Sequence, residues 1–468
     1  MNSVITKGFS SLEDEVVLDA LPIRGNIPPW LSGTLLRVGP AKFEVGETTY
    51  RHWFDGLSML HRFSFRSNRV AYRNKFLCSR AFKAASRSGA IMYAEFATDP
   101  CRSLFRRVTS LFVPVFTDNA NVNIGRFADK FIAMTETPLP IIFDPGTLET
   151  LGVFNYQDRL RGHLTTAHPH YDSARNEVFN YLTRFSYTST YTIYRMEQDA
   201  ARRKAVATIA TDRPGYMHSF GMTARYIVLS EFPFFVRPVD LLISGKPFIE
   251  NFSWQPDRPA RFFVVDKHSG KLVGVYDTEP FFAFHHVNAF EEKGEIVLDL
   301  VSYPDTSIIE HLYLDVLRTS SPPVAGTLRR YRIHLTKGTV TSQELGDATI
   351  ELPRIHYQLH NTKPYRFVYG VGSTRTGNFL DEIVKIDLYK GTSLRWRENR
   401  SYPGEPVFVP QPGTAQEDAG VIISIVLSGA TQRSSLLILD ARSLTEVGRA
   451  EIPHHIPFGF HGQYIPAL

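Results

Sequence analysis

Cysteine is nearly absent: the 468 residues contain two, Cys78 and Cys101, and neither sits in a CxxC pair. That excludes a disulfide framework and a thiolate zinc site. Long apolar runs are missing too. No stretch approaches the ~18 residues of a spanning helix, and the opening MNSVITKGFSSLEDEVVLDALP has no apolar core of signal-peptide length. The expectation is a cytoplasmic protein that does not cross a membrane. Charge of one sign is also lacking. The 52 Lys and Arg against 47 Asp and Glu leave a net +5, which gives no nucleic-acid signature but is compatible with an anionic membrane surface. No Gly/Ser linker or low-complexity segment marks a boundary, so 1–468 reads as one domain.

Aromatic rings are what the chain has in abundance, with 34 Phe and 21 Tyr. Strand signals dominate and one unit recurs: a β-rich run, a polar turn opening near Asp, then a second β-rich run. It is clearest in PIIFDPGTLETLGVF, RFFVVDKHSGKLVGVY, EIVKIDLYKGTSLRW and LLILDARSLTEVGRAEI, whose turns open at Asp144, Asp266, Asp387 and Asp440. Weaker copies turn near Arg66, Glu197 and His334. The seven turns recur at a mean spacing of about 62 residues, longer than common four-stranded blade repeats and leaving room for loops over one face. This predicts an all-β fold, a seven-bladed β-propeller with loops and short helices capping one face. Paired β-sandwiches would explain the strands but not the period. The nearest approach to a helix is RSLFRRVTSLF, where Leu104, Phe105, Val108, Leu111 and Phe112 fall on one helical face with arginines largely off it.

Of 16 histidines, those in TTAHPHYD, GYMHSFGMT, AFHHVNAF and FGFHGQYIP stand out: His168 and His170, His218, His285 and His286, and His461. Each stretch lies just before or within an apolar β-like run, and their spacing puts them on different blades. The innermost strands of a propeller line its axis, so four imidazoles could converge there on a metal. Strand side chains alternate faces, so only one of His285 and His286 can point inward. Glu136, Glu351 and Glu405 are single acids in apolar or Pro-rich β contexts. Each is either solvated at a strand end or the carboxylate that accepts the second ring N–H of a metal-bound histidine.

At these residues the chain resembles the carotenoid cleavage oxygenase family. The likeness runs nearly end to end, through IPPWLSGTLLRVGPAKFEVG, HWFDGLSMLHRFSF, TDPCRSLF, TDNANVNI, TETP, TAHPHYD, HSFGMT, FHHVNAFE, ELPRIHYQ, SYPGEPVFV and FHGQYIP. The branch it looks closest to holds the retinal-forming β-carotene oxygenases and the visual-cycle isomerase. The resemblance implies a seven-bladed propeller with axial Fe(2+) on His168, His218, His285 and His461. It also implies Glu136, Glu351 and Glu405 as the acids behind His218, His285 and His461, with His170 and His286 as structural neighbours. Implied, too, is a dioxygenase that adds O2 across one C=C bond of a carotenoid or apocarotenoid to give aldehyde or ketone products.

Related activities of the same fold, stilbene cleavage or retinoid isomerisation, are the alternatives, as is a propeller that binds a metal or pigment without catalysis. The aromatic content fits a tunnel for a long polyene, with Phe54, Thr135, Tyr303 and Phe460 as lining candidates. A polyene reaches its enzyme from a membrane, so peripheral docking is expected. The candidate surface is Leu104, Phe105, Leu111 and Phe112 beside three arginines.

Overall fold

The computed structural model describes residues 3–100, 117–319, 323–374 and 379–466. Its seven four-stranded antiparallel units are the blades of a propeller, the second to seventh each entered at the innermost strand and left at the outermost. All seven turns read from the sequence are the outer hairpins of these blades. They join Leu57–Arg66 to Arg69–Phe76, Ile141–Phe143 to Thr150–Val153, and Ser189–Glu197 to Arg203–Thr211. The others join Ala260–Asp266 to Leu272–Thr278, Gly326–His334 to Thr339–Arg354, Glu382–Asp387 to Thr392–Arg397, and Ser434–Asp440 to Glu446–Glu451.

The turn aspartates have a local physical cause. Asp144 Oδ1 accepts the N–H groups of Gly146 and Thr147, and Asp266 Oδ1 those of His268 and Ser269. Asp387 and Asp440 do the same two and three residues on. A short side-chain acceptor thus replaces a backbone partner and fixes the turn. His334 imitates it, its Nδ1 accepting from Lys337 N at 3.2 Å. At the first hairpin, Ser67 and Asn68 carry φ of 49° and 59°, the two-residue primed turn whose twist matches the strands.

Two joins matter for the axis. The C-terminal strand Gly462–Ile465 pairs antiparallel with Gly33–Lys42, so it is the innermost strand of the first blade and ties the two ends of the ring together. Gly39 is required just there, because a Cβ on it would stand 2.9 Å from the Cα of Gly459. The long strand Thr339–Arg354 is outermost in the fifth blade, then bends through a register shift between Glu351 and Arg354 and becomes innermost in the sixth.

One expectation is corrected. A nine-residue helix stands at Arg80–Ser88, where none was read. Ser79 caps its start by accepting from Phe82 N, and Gly89 ends it in the left-handed region. Both cap signals were present in the sequence, but two buried alanines make too weak an apolar stripe to call a helix from. The segment predicted as helical, with Leu104, Phe105, Leu111 and Phe112, lies outside the described residues, as does Cys101.

Candidate metal centre and substrate cavity

Every blade sends one residue to the same end of the axis. His461 precedes the inner strand of the first blade and His168 lies between the inner pieces Leu164–Thr165 and His170–Asp172 of the third. His218 comes just before the inner strand Gly221–Met222 of the fourth, and His285 immediately precedes the inner strand His286–Glu292 of the fifth. The acids fill the remaining blades. Glu136 follows the second strand of the second blade, Glu351 begins the inner stretch of the sixth, and Glu405 lies between the inner pieces Ser401–Pro403 and Val407–Pro410 of the seventh. In an antiparallel blade the end of the second strand and the start of the first share one face, which is why Glu136 arrives beside the others.

The contacts are short. Nδ1 of His218, His285 and His461 lies 2.7, 2.6 and 2.6 Å from Glu136 Oε1, Glu351 Oε2 and Glu405 Oε1. An ionised carboxylate only accepts, so each Nδ1 bears the hydrogen and each Nε2 keeps its lone pair. Those lone pairs face one another. His168 Nε2 is 3.0 Å from His218 Nε2, and His285 Nε2 is 3.2 Å from His461 Nε2. One ring nitrogen of each of the four lies within 4.8 Å of the others. Converging lone pairs repel unless a cation sits among them, so this donor set fits a metal ion and could hold one.

The surroundings keep the His168 and His461 rings neutral. Burial, reinforced by the other three histidines and Arg354, holds His168 well below the usual imidazole range. Burial also brings His461 down to about 4 against the opposing pull of Glu405. For Glu405 burial works to raise the pKa, but Arg354, His461 and Arg37 outweigh it and hold the carboxyl below its ordinary value. Glu351 is lowered likewise, His285 overcoming burial.

The adjacent histidines divide as strand alternation requires. His286 turns away from the axis, its Nδ1 2.7 Å from Ser219 Oγ and its Nε2 2.7 Å from Ser230 Oγ. His170 is also occupied elsewhere, by the Phe220 carbonyl and the Tyr357 hydroxyl.

A cavity of about 1020 Å³ opens over the imidazoles, and His218, His285 and His461 form part of its wall. Phe54, Thr135, Tyr303 and Phe460 all line it. Rings pack from the cavity down to the histidines: Phe96 on Phe54 at 5.2 Å, Phe54 on Phe284 at 5.7 Å, and Phe284 on His218 at 5.4 Å. Tyr303 does more than line, because its hydroxyl is 2.7 Å from Glu351 Oε1.

Sequence reasoning missed the groups behind the acids. Tyr216 donates to Glu136 Oε1 at 2.8 Å. Arg354 Nε donates to Glu405 Oε1 at 2.8 Å and its Nη2 to the Gly462 carbonyl. Arg37 stands 3.7 Å from the other Glu405 oxygen. Tyr216 was findable, two residues before His218 on an extended segment. Arg354 was not, because the register shift after Glu351 breaks the alternation that would have placed it.

Fold and site together define a β-propeller with an axial four-histidine centre under an apolar cavity. The family model described as RPE65, retinal pigment epithelial membrane protein, matches residues 9–466, and the chain belongs to this family, the carotenoid oxygenases. It is 36% identical to the mitochondrial carotenoid-cleaving dioxygenase of Macaca fascicularis, over 94% of this chain and 91% of that one. It is 35% identical to the β,β-carotene 15,15'-dioxygenase of Mus musculus, over 95% and 88%. The crystal structure of cobalt-substituted Synechocystis ACO superposes with a TM-score of 0.89 at 27% identity, covering 99% of both chains.

Proposed function

We propose that this chain, as one seven-bladed unit over 1–468, is a non-haem iron(II) dioxygenase that cleaves a C=C bond of a carotenoid or apocarotenoid. The observation that carries the reading is the convergence of four imidazoles beneath an aromatic cavity. His168, His218, His285 and His461 would hold the iron. Four neutral donors leave the ion its full charge and free coordination positions, and what it supplies when bound is activation of O2. The cobalt carried by the Synechocystis relative supports reading the centre as a metal site.

The chain's own part is positioning and exclusion. The wall of Phe54, Phe96, Phe284 and Phe460 takes up an extended apolar chain and keeps water from it. One alkene and one O2 give two carbonyl groups with no proton gained or lost, so no acid–base pair is required. The nearby Tyr216 and Tyr303 hydroxyls are committed to the carboxylates rather than offered to a substrate. Glu136, Glu351 and Glu405 hold the tautomers in which His218, His285 and His461 present Nε2 as a donor to metal.

Substrate delivery from a membrane is part of the reading. Among the described residues no helix is long and apolar enough to cross a bilayer. Around the cavity, however, Tyr187, Val239, Leu242 and Ile243 are exposed, the last 71% accessible. Lys246 flanks them, while Arg237 is paired with Asp240, and the exposed apolar group beside this lysine supports peripheral docking at an anionic surface.

The deciding experiment incubates iron-loaded protein under O2 with β-carotene, an apocarotenal, resveratrol and a retinyl ester, and separates the products. Two carbonyl fragments from a carotenoid, one O2 consumed per alkene lost, are expected. Stilbene cleavage or isomerisation alone would replace this reading.

A further inference from the structure

Glu95 is a buried carboxyl on the cavity wall that the cleavage chemistry does not use. It is 7% exposed, lines the cavity and takes part in no ion pair among the described residues. Its Oε1 accepts from the Thr117 hydroxyl at 2.7 Å. No hydrogen bond from a described residue reaches Oε2.

The two neighbouring acids are supplied differently. Asp55 accepts from the Thr98 hydroxyl and from the backbone N–H groups of Ala97 and His52. Asp118 accepts from Arg80, through both its backbone and its guanidinium, and from Ala81 N. Glu95 has one hydroxyl donor and two acids beside it. A carboxyl so placed keeps its proton rather than its charge. Burial first, then Asp55 and Asp118, push its pKa well above the ordinary value despite Thr117. With Thr117 donating to Oε1, the acid's own hydrogen is on Oε2.

The ring of Phe96, the next residue, packs on Phe54 at 5.2 Å, and Phe54 and Phe284 stand between it and His218, so Glu95 belongs to a part of the wall set back from the histidines. A hydrocarbon has nothing to offer such a donor and leaves it unsatisfied on binding, at a cost in affinity. An oxygen atom at that point of the ligand accepts from it.

We propose that Glu95 donates a hydrogen bond to an oxygen on the end of the substrate lodged beside it. The cavity then selects a polyene carrying a hydroxyl, ketone or aldehyde over the parent hydrocarbon. The inference rests on the polyene-cleaving reading and adds a specificity-determining residue to it.

The test measures binding without turnover. Metal-free protein is titrated with an apocarotenal and with β-carotene, following tryptophan fluorescence, to which Trp53 on the cavity wall contributes. The wild type is expected to favour the apocarotenal. Glu95→Leu is expected to lower the affinity ratio by about tenfold or more, while Glu95→Gln, which keeps an N–H donor, stays within about threefold. An unchanged ratio in Glu95→Leu, or no preference in the wild type, overturns the proposal. Should Glu95→Leu fail to fold, Thr117→Val frees the carboxyl from its orienting hydroxyl and is expected to lose part of the ratio. A ratio unaltered there overturns it equally. A protein that binds with this preference yet cleaves nothing would sink the cleavage reading alone.

Discussion

His285 Nε2 lies 3.2 Å from His461 Nε2, although the two residues are 176 positions apart. Each ring has already given its other nitrogen to a buried carboxylate, so this approach brings lone pair to lone pair. Only a cation makes it favourable, and the energy that holds the rings there comes from the blades and from Glu351 and Glu405.

Metal content is therefore the first measurement. Replacing His168, His218, His285 or His461 with Ala is expected to strip most of the iron, as read by metal analysis of purified protein. His286→Ala is expected to keep it. That variant instead leaves Ser219 and Ser230 without their imidazole partner, and a stability loss of about 1–3 kcal/mol should appear in urea unfolding. Iron lost from His286→Ala but kept in His285→Ala would reverse the face assignment.

The three acids are expected to separate. Glu136→Gln, Glu351→Gln and Glu405→Gln should each cost about 10–100-fold in metal affinity or activity, through loss of the fixed tautomer. Glu405→Gln should also cost stability on the order of 3 kcal/mol, because it strands the buried Arg37 and the adjoining Arg354 without their anion. Equal stability in all three would mean that the arginines are adequately paired elsewhere.

Acid sensitivity has a nameable source. Burial lowers the pKa of His61 to about 3, and His454 and Arg37 add to the effect. The unfolded residue titrates near 6.5, so between that pH and about 3 the unfolded chain binds a proton that the folded one does not. Stability due to this residue is intact above 6.5 and falls as the pH drops. From pH 7 to pH 5 the loss is about 2 kcal/mol. His61→Gln is expected to remove that increment from the pH dependence of urea unfolding, whatever its effect at pH 7. An identical pH dependence in the variant would refute the assignment.

How much of this was legible in the chain follows from the range of the interactions involved. The hairpins were readable because their turns are local, an Asp and the N–H groups two and three residues on. The four histidines and three acids could be singled out because each sits in an apolar β context where a polar group needs a reason. That His285 rather than His286 faces the axis came from resemblance, and in the structure two serines from the neighbouring blade hold His286 outward. The groups behind Glu405 were illegible: Arg37 and Glu405 are 368 residues apart, and no local pattern links a first-blade strand to a seventh-blade loop. The cavity rim was missed for a related reason. Val239, Leu242 and Ile243 look like ordinary core residues until the fold shows them exposed beside the cavity.

Membrane docking separates two surfaces. Leu242 and Ile243 belong to the short helix Asp240–Ile243, and with Val239 and Tyr187 they expose apolar side chains at the cavity mouth. Each exposed Leu or Ile that enters the acyl boundary gains roughly 1.5–3 kcal/mol, so three or four together suffice for reversible binding when Lys246 meets anionic headgroups. Replacing Tyr187, Val239, Leu242 and Ile243 with Ser is expected to weaken co-sedimentation with anionic liposomes by at least tenfold. Circular dichroism should be unchanged, since these side chains support no core. Added salt should weaken the wild type through this lysine. The same substitution at Leu104, Phe105, Leu111 and Phe112 gives the comparison. If only this second variant loses binding, the dock is the 101–116 segment and not the helix at the rim. If neither does, the apolar rim serves the ligand's passage alone, and the polyene must be handed over by a carrier instead of a bilayer.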